Sequence, residues 1–146
     1  MSLPTTINMK FSHTVETIAP SDRIWNIWTD VKNWPTWDTE LEFASLDGNF
    51  ALNAQGKLKS KNAPVSTFLI SQWEPQKSYT FTTVLPLCQL NVRRYLTQNQ
   101  GKTYFTHEVS FTGLLSFVFS NLLGRKFQTV LPKVMDNIRR LAESSN

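Results

Sequence analysis

Three side chains in this sequence pair a useful ionisation with an inward-pointing position: His13, Arg94 and His107. Residues 10–18 alternate, with Phe11, His13, Val15 and Thr17 on one face and Ser12, Thr14 and Glu16 on the other, the pattern of a half-buried strand. Residues 103–112 repeat it, with Phe105, His107, Val109 and Phe111 on the apolar side. Burial favours the neutral imidazole, which near pH 7 serves as acid or base. The other reading is a core or rim histidine satisfied by a neighbouring hydroxyl. Arg93 and Arg94 are adjacent on a strand, so one of them must face inward, and alternation with Leu90, Val92 and Leu96 nominates Arg94. Its guanidinium fork suits a ligand carboxylate or enolate oxygen. Alternatively it snorkels from the strand end or pairs with a carboxylate of its own chain.

Other chemistries find little support. Two histidines without further placed ligands do not make a metal site, so neither a metal nor a cofactor is expected. No serine sits in a nucleophile-elbow pattern, and there is no glycine-rich phosphate loop. Cys88 has no cysteine-protease pattern around it and reads as a small packing residue. Tyr79 and Phe81 share a face with Thr83 and offer ring surface with a hydroxyl handle. Trp25 and Trp28 read as core, whereas Trp34 and Trp37, flanking Pro35, are expected to border a cavity mouth.

A chain of 146 residues is expected to be one domain, here spanning 1–146, with 1–9 read as a flexible tail or in part a cloning leader. A single cysteine excludes an intrachain disulfide framework, and the opening residues do not read as a secretory leader. The cytoplasm is the expected compartment, and a monomer or weak dimer the expected state. A net charge of +4 with scattered basic residues gives no reason to expect nucleic acid. The longest apolar run, residues 114–123, is broken by Ser116, Ser120 and Asn121 and is shorter than the about 20 residues of a spanning helix.

Residues 113–143 carry the strongest periodic signal. Leu115, Val118, Leu122, Phe127, Val130, Leu131, Val134, Ile138 and Leu141 form one helical stripe, with Lys126, Lys133, Asp136, Arg139, Arg140 and Glu143 opposite. Gly124 and Pro132 predict two segments with a hinge. The part after Pro132 reads as an anchor pinned by Val134, Ile138 and Leu141. The part before Gly124 reads as a lid, followed by Arg125-Lys126, that either fills the cavity mouth or touches a membrane surface transiently. Upstream, residues 19–22 end the first strand and supply a helix N-cap for a short helix through Ile24, Trp25, Ile27 and Trp28. Residues 31–38 follow as a turn or brief second helix. Residues 41–46 and 50–58 read as a hairpin, and 65–73, 79–84, 87–97 and 103–112 as further strands. The class is α+β: a strand, two small helices, six strands in meander and a long helix.

Several local features together resemble the START-like (SRPBCC) superfamily, and within it the polyketide cyclase/dehydrase and lipid-transport group. They are Ile18-Ala19-Pro20 followed by Ile24-Trp25, Trp34 and Trp37 three apart, Leu46-Asp47-Gly48 with Gly56, and Trp73-Glu74-Pro75. Gly124-Arg125, Leu131-Pro132 and Leu141-Ala142-Glu143 complete the set, so the resemblance runs over residues 10–143. It implies the helix-grip fold, a seven-stranded curved antiparallel sheet around the C-terminal helix, with a cavity between them for a lipid, quinone or polyketide-like molecule. It also makes the first and last strands neighbours, so that His13 and His107 face one cavity. The lining is then expected from His13, Trp37, Tyr79, Phe81, Arg94, Phe105, His107, Phe119, Leu123 and Phe127. Ligand binding without catalysis is the leading expectation. A cyclase or dehydratase using His13, His107 and Arg94 is the alternative, and an interaction module a third.

Overall fold

A computed structural model describes residues 10–144, so the expected tail at 1–9 lies outside the described residues. The elements are β1 (Lys10–Thr17), α1 (Ser21–Thr29), a 3-10 helix (Val31–Thr36), β2 (Leu41–Leu46), β3 (Gln55–Ser60), β4 (Val65–Glu74), β5 (Ser78–Leu85), β6 (Cys88–Asn99), β7 (Lys102–Thr112) and α2 (Ser116–Glu143). The seven strands form one antiparallel sheet in the order β1-β7-β6-β5-β4-β3-β2, as successive hairpins require. β1 closes on β7 because the chain leaves β1 for the two short helices before it begins the meander. Helix α2 lies against β1 and β7 and reaches β6, while the 3-10 helix packs on β2. The helix-grip expectation holds.

The core sits between the inner face and these helices. Phe68, Ile70, Tyr79, Phe81, Phe105 and Phe111 from the sheet meet Trp28, Trp34 and Trp37 from the short helices and Met135 and Ile138 from α2. No helix of the described residues is long and apolar enough to cross a membrane.

Local expectations differ from the structure in four places. Pro20 occupies the N-cap of α1 and makes no side-chain cap bond. β3 begins at Gln55, because residues 47–54 form a loop fastened by Asn53 N–H to Ile70 O at 2.9 Å and Ile70 N–H to Ala54 O at 2.9 Å. Helix α2 runs unbroken through Gly124 and Pro132, so the expected two segments are one helix. Buried Leu131, Val134 and Met135 flank Pro132, and their packing holds the turn that the missing amide weakens. Finally, nine apolar residues make a stripe too wide for one contact: Val118, Leu122 and Leu141 are exposed, and Ala142 takes the inward position expected of Leu141.

Two glycines are set by close approach. A Cβ on Gly56 would meet the Ser45 carbonyl oxygen and the ring of Phe68, which is itself buried. A Cβ on Gly124 would stand 2.5 Å from the Phe11 Cζ, at the tip of a half-buried ring. Gly56→Ala is therefore expected to cost about 3 kcal/mol, since a backbone oxygen cannot retreat. Gly124→Ala is expected to cost no more than about 1 kcal/mol, because the ring can turn aside and alanine regains roughly 1 kcal/mol of helix propensity. Chemical denaturation of both variants checks the order; equal losses would refute it.

Candidate functional site

A row of side chains crosses the inner face at one level. In the sheet register Tyr79 on β5 lies opposite Arg94 on β6, Arg94 opposite His107 on β7, and His107 opposite His13 on β1. Directly paired residues of an antiparallel sheet point to the same side, so the four form a polar band in an otherwise apolar surface. Arg93 points the other way and pairs with Glu108 at 3.1 Å on the outer face.

Arg94 is only 4% exposed. Its Nη1 donates to the Tyr79 hydroxyl at 2.6 Å. Aromatic rings surround the guanidinium: its Cζ lies 4.9 Å from the Trp34 ring centroid, 5.0 Å from those of Trp37 and Phe81, and 5.7 Å from that of Tyr79. Among the described residues no carboxylate forms an ion pair with it. Asp38 feels its charge, yet burial still raises the Asp38 carboxyl above its ordinary value despite that pull and a bond from the Glu40 amide. A desolvated cation–π contact contributes about 2 kcal/mol, against several kcal/mol for stripping a charge of water.

The short helices complete the node. The Trp28 carbonyl oxygen, in the last turn of α1, accepts from Trp34 Nε1 at 2.8 Å and from the Tyr79 hydroxyl at 3.3 Å. Trp28 Nε1 donates to His107 Nε2 at 3.0 Å. His107 is 1% exposed, and its basicity falls well below the ordinary imidazole value, first through burial and then through the nearby Arg94 and His13. Burial also raises the Tyr79 hydroxyl, with Arg94 opposing. Among the described residues no group of three His, Cys, Asp or Glu side chains is placed to hold a metal ion.

Of the expected lining, Trp37, Tyr79, Phe81, Arg94, Phe105 and His107 are buried together here, with His13 half-buried beside them. Phe119, Leu123 and Phe127 are half-buried on the first half of α2, where Phe127 meets Phe111 at 6.1 Å. Trp34, 0% exposed, sits in the core rather than at a mouth, whereas Trp37, though 1% exposed, lies in the wall of a surface cleft. The 3-10 helix holds them over the inner face, where Trp34 stacks on Phe68 at 5.5 Å. Trp28 and Trp34 are the partners that sequence reasoning missed. The signal was present as a need, since a buried indole N–H requires an acceptor and a buried imidazole a donor.

Two concavities formed by described residues indent the surface. One, of about 400 Å³, is on the outer face around Thr80, Thr82, Asn91 and Arg93. The other, of about 510 Å³, lies between α1, the 3-10 helix and the C-terminal half of α2, with Trp37 in its wall.

Similarities to known proteins agree with this architecture. The family model for polyketide cyclase / dehydrase and lipid transport matches residues 8–143. No curated protein matches the chain. Among solved structures, a protein from Mesorhizobium loti is 14% identical with a TM-score of 0.74, covering 94% of this chain and 99% of its own. Norcoclaurine synthase from Thalictrum flavum is 11% identical with a TM-score of 0.72, covering 97% and 90%. A START superfamily protein from Mycobacterium smegmatis is 15% identical with a TM-score of 0.69, covering 90% and 97%. At these identities the solved structures speak for fold alone. With the family model matched over nearly its whole length, the chain belongs to the polyketide cyclase / dehydrase and lipid transport family of the START-like, helix-grip superfamily.

Proposed function

We propose that the chain binds a small hydrophobic or amphipathic molecule of lipid, quinone or polyketide-like chemistry, and that Arg94 anchors it. One observation carries this reading: a buried cation, ringed by aromatic faces, forms no ion pair with a carboxylate of the described residues, the nearby Asp38 included. Such a charge lowers the stability of the empty protein unless a ligand draws on it. Family membership supports a ligand-binding or cyclase-like role without choosing between them.

The geometry weighs against His107 as the base of a cyclase. An indole nitrogen only donates, so the bond from Trp28 Nε1 uses the lone pair on His107 Nε2. The remaining nitrogen, Nδ1, then carries the proton of the neutral ring. His107 in this arrangement offers a hydrogen-bond donor rather than a base, and its depressed basicity keeps it from becoming a cationic acid near neutral pH. Of the two histidines only His13 remains for proton transfer.

Two expectations follow from these arguments. Below pH about 6.5 the unfolded chain takes up a proton at residue 107 that the folded chain refuses, so the contribution of His107 to stability should be flat above that pH and fall below it, by at most about 1.4 kcal/mol per pH unit. His107→Gln keeps an acceptor for Trp28 and should lose that part of the slope; equal slopes for variant and wild type between pH 7 and 5 would contradict the neutral, buried imidazole. Arg94→Met should make the ligand-free protein more stable by about 1–2 kcal/mol. In a thermal-shift screen of lipids, quinones and polyketides, the wild type should rise with at least one compound and Arg94→Met should not. A wild type that responds to none, with mass spectrometry of its organic extract also empty, would end the ligand-binding reading.

A further inference from the structure

Among the buried side-chain nitrogens and oxygens of the described residues, two lack any hydrogen-bond partner: Arg94 Nε and Trp37 Nε1. They belong to neighbouring groups, the Arg94 Cζ lying 5.0 Å from the centre of the Trp37 ring. Both are donors, and an unpaired buried donor costs free energy comparable to a lost hydrogen bond, so two on neighbouring side chains call for an acceptor that the described residues do not supply. An ester carbonyl or a hydroxyl oxygen can accept from them but leaves the guanidinium charge uncompensated. An oxyanion accepts from both and neutralises the charge, making the bonds charge-assisted and roughly twice as strong as neutral ones.

Trp37 also places the rest of the ligand, because it is the side chain shared by this node and the cleft of about 510 Å³ between α1, the 3-10 helix and α2. That volume lies within the range of small-molecule sites. Ile27 and Leu141 give the cleft an apolar floor, and Leu141 is exposed there instead of serving the core. At the rim, Arg23 carries a positive charge, while Asp30 is engaged by Asn33 Nδ2 at 2.6 Å.

We propose that Arg94 Nε and Trp37 Nε1 together receive the oxyanion of a small organic acid, a carboxylate or an enolate, whose apolar body lies in this cleft against Trp37, Ile27 and Leu141. The proposal rests on the ligand-binding reading and narrows it, both to acids and to a body held at the α1 side of α2.

The test uses the full chain with two acid and ester pairs, 2-naphthoate with its methyl ester and dodecanoate with its methyl ester. Calorimetry gives affinities, and ¹H–¹⁵N spectra follow the Trp37 indole resonance, assigned by its absence in Trp37→Phe. At least one acid should bind tenfold or more tightly than its ester and shift that resonance. Trp37→Phe, which keeps a ring but removes the donor, should cut the preference about fivefold, and Arg94→Met should abolish it. Leu141→Gln, a neutral change at an exposed position that leaves the core intact, should weaken the apolar part of binding for acid and ester alike. Esters that bind as tightly as their acids would overturn the oxyanion site and leave the ligand-binding reading standing. Acid binding with no change at the Trp37 indole, or crystals with the acid that show only a water bridging the two donors, would overturn it too. If no acid or ester binds while an unrelated lipid or quinone does, the proposal fails alone. If nothing binds, both readings fail.

Discussion

A positive charge that cannot reach water governs the arrangement of this protein's interior. Arginine keeps its charge in proteins, so wherever β6 buries Arg94, the surroundings must supply negative potential. No carboxylate ion pair does so among the described residues. Ring faces of Trp34, Trp37 and Phe81 supply part of it, and the Tyr79 oxygen another part. The end of a helix adds a third. Trp28 sits in the last turn of α1, where carbonyls have no intrahelical donor and carry the negative pole of the helix dipole. Through Tyr79 that pole is linked to the guanidinium. The position of α1 on the sheet is thus part of the solvation of Arg94.

Much of the fold is legible from local pattern, and the reason is periodicity. Strand alternation depends only on which neighbours are apolar, so the inward turn of His13, Arg94 and His107 could be read directly, and the meander followed from short connections. What escaped was set by contacts distant in sequence. Pro35 suggested that Trp34 and Trp37 flank an exposed turn, but Pro35 lies near the end of a short 3-10 helix, and that helix turns both rings inward onto strands more than thirty residues away. Pro132 suggested a break in α2, yet burial of Leu131, Val134 and Met135 outweighs one lost amide. The candidate site was half legible: Arg94 announced itself, whereas Trp34 and Trp37, which surround its guanidinium, looked like the rim of a mouth, and Trp28, which bonds to His107, like ordinary core.

Helix α2 divides in burial, though not in backbone. After Pro132 its inner side is set by Val134, Met135, Ile138 and Ala142, all buried. Before Gly124, Leu114 at the helix entrance, Phe117, Val118 and Leu122 stand open to solvent, Phe119 and Leu123 are half-buried against the core, and Ser120 and Gly124 are fully buried. Small side chains on that inner stripe let the helix approach β1, where Phe11 fills the space a Cβ would occupy. The fold is shared with proteins of low identity, so the frame tolerates wide change. The chemistry of any one member rests on the few groups placed within it.

The Trp28 carbonyl, with its two side-chain donors, has a consequence for cooperativity. Helix ends ordinarily fray on their own, because their last carbonyls turn to water at little cost. Here, releasing the last turn of α1 would strip Tyr79 and Trp34 of an acceptor deep in the core and remove part of the negative potential beside Arg94. The last turn of α1 and the interior of the sheet therefore open as one unit. Amides in that turn are therefore expected to exchange with solvent at the rate of the core rather than at the rate of a nine-residue surface helix.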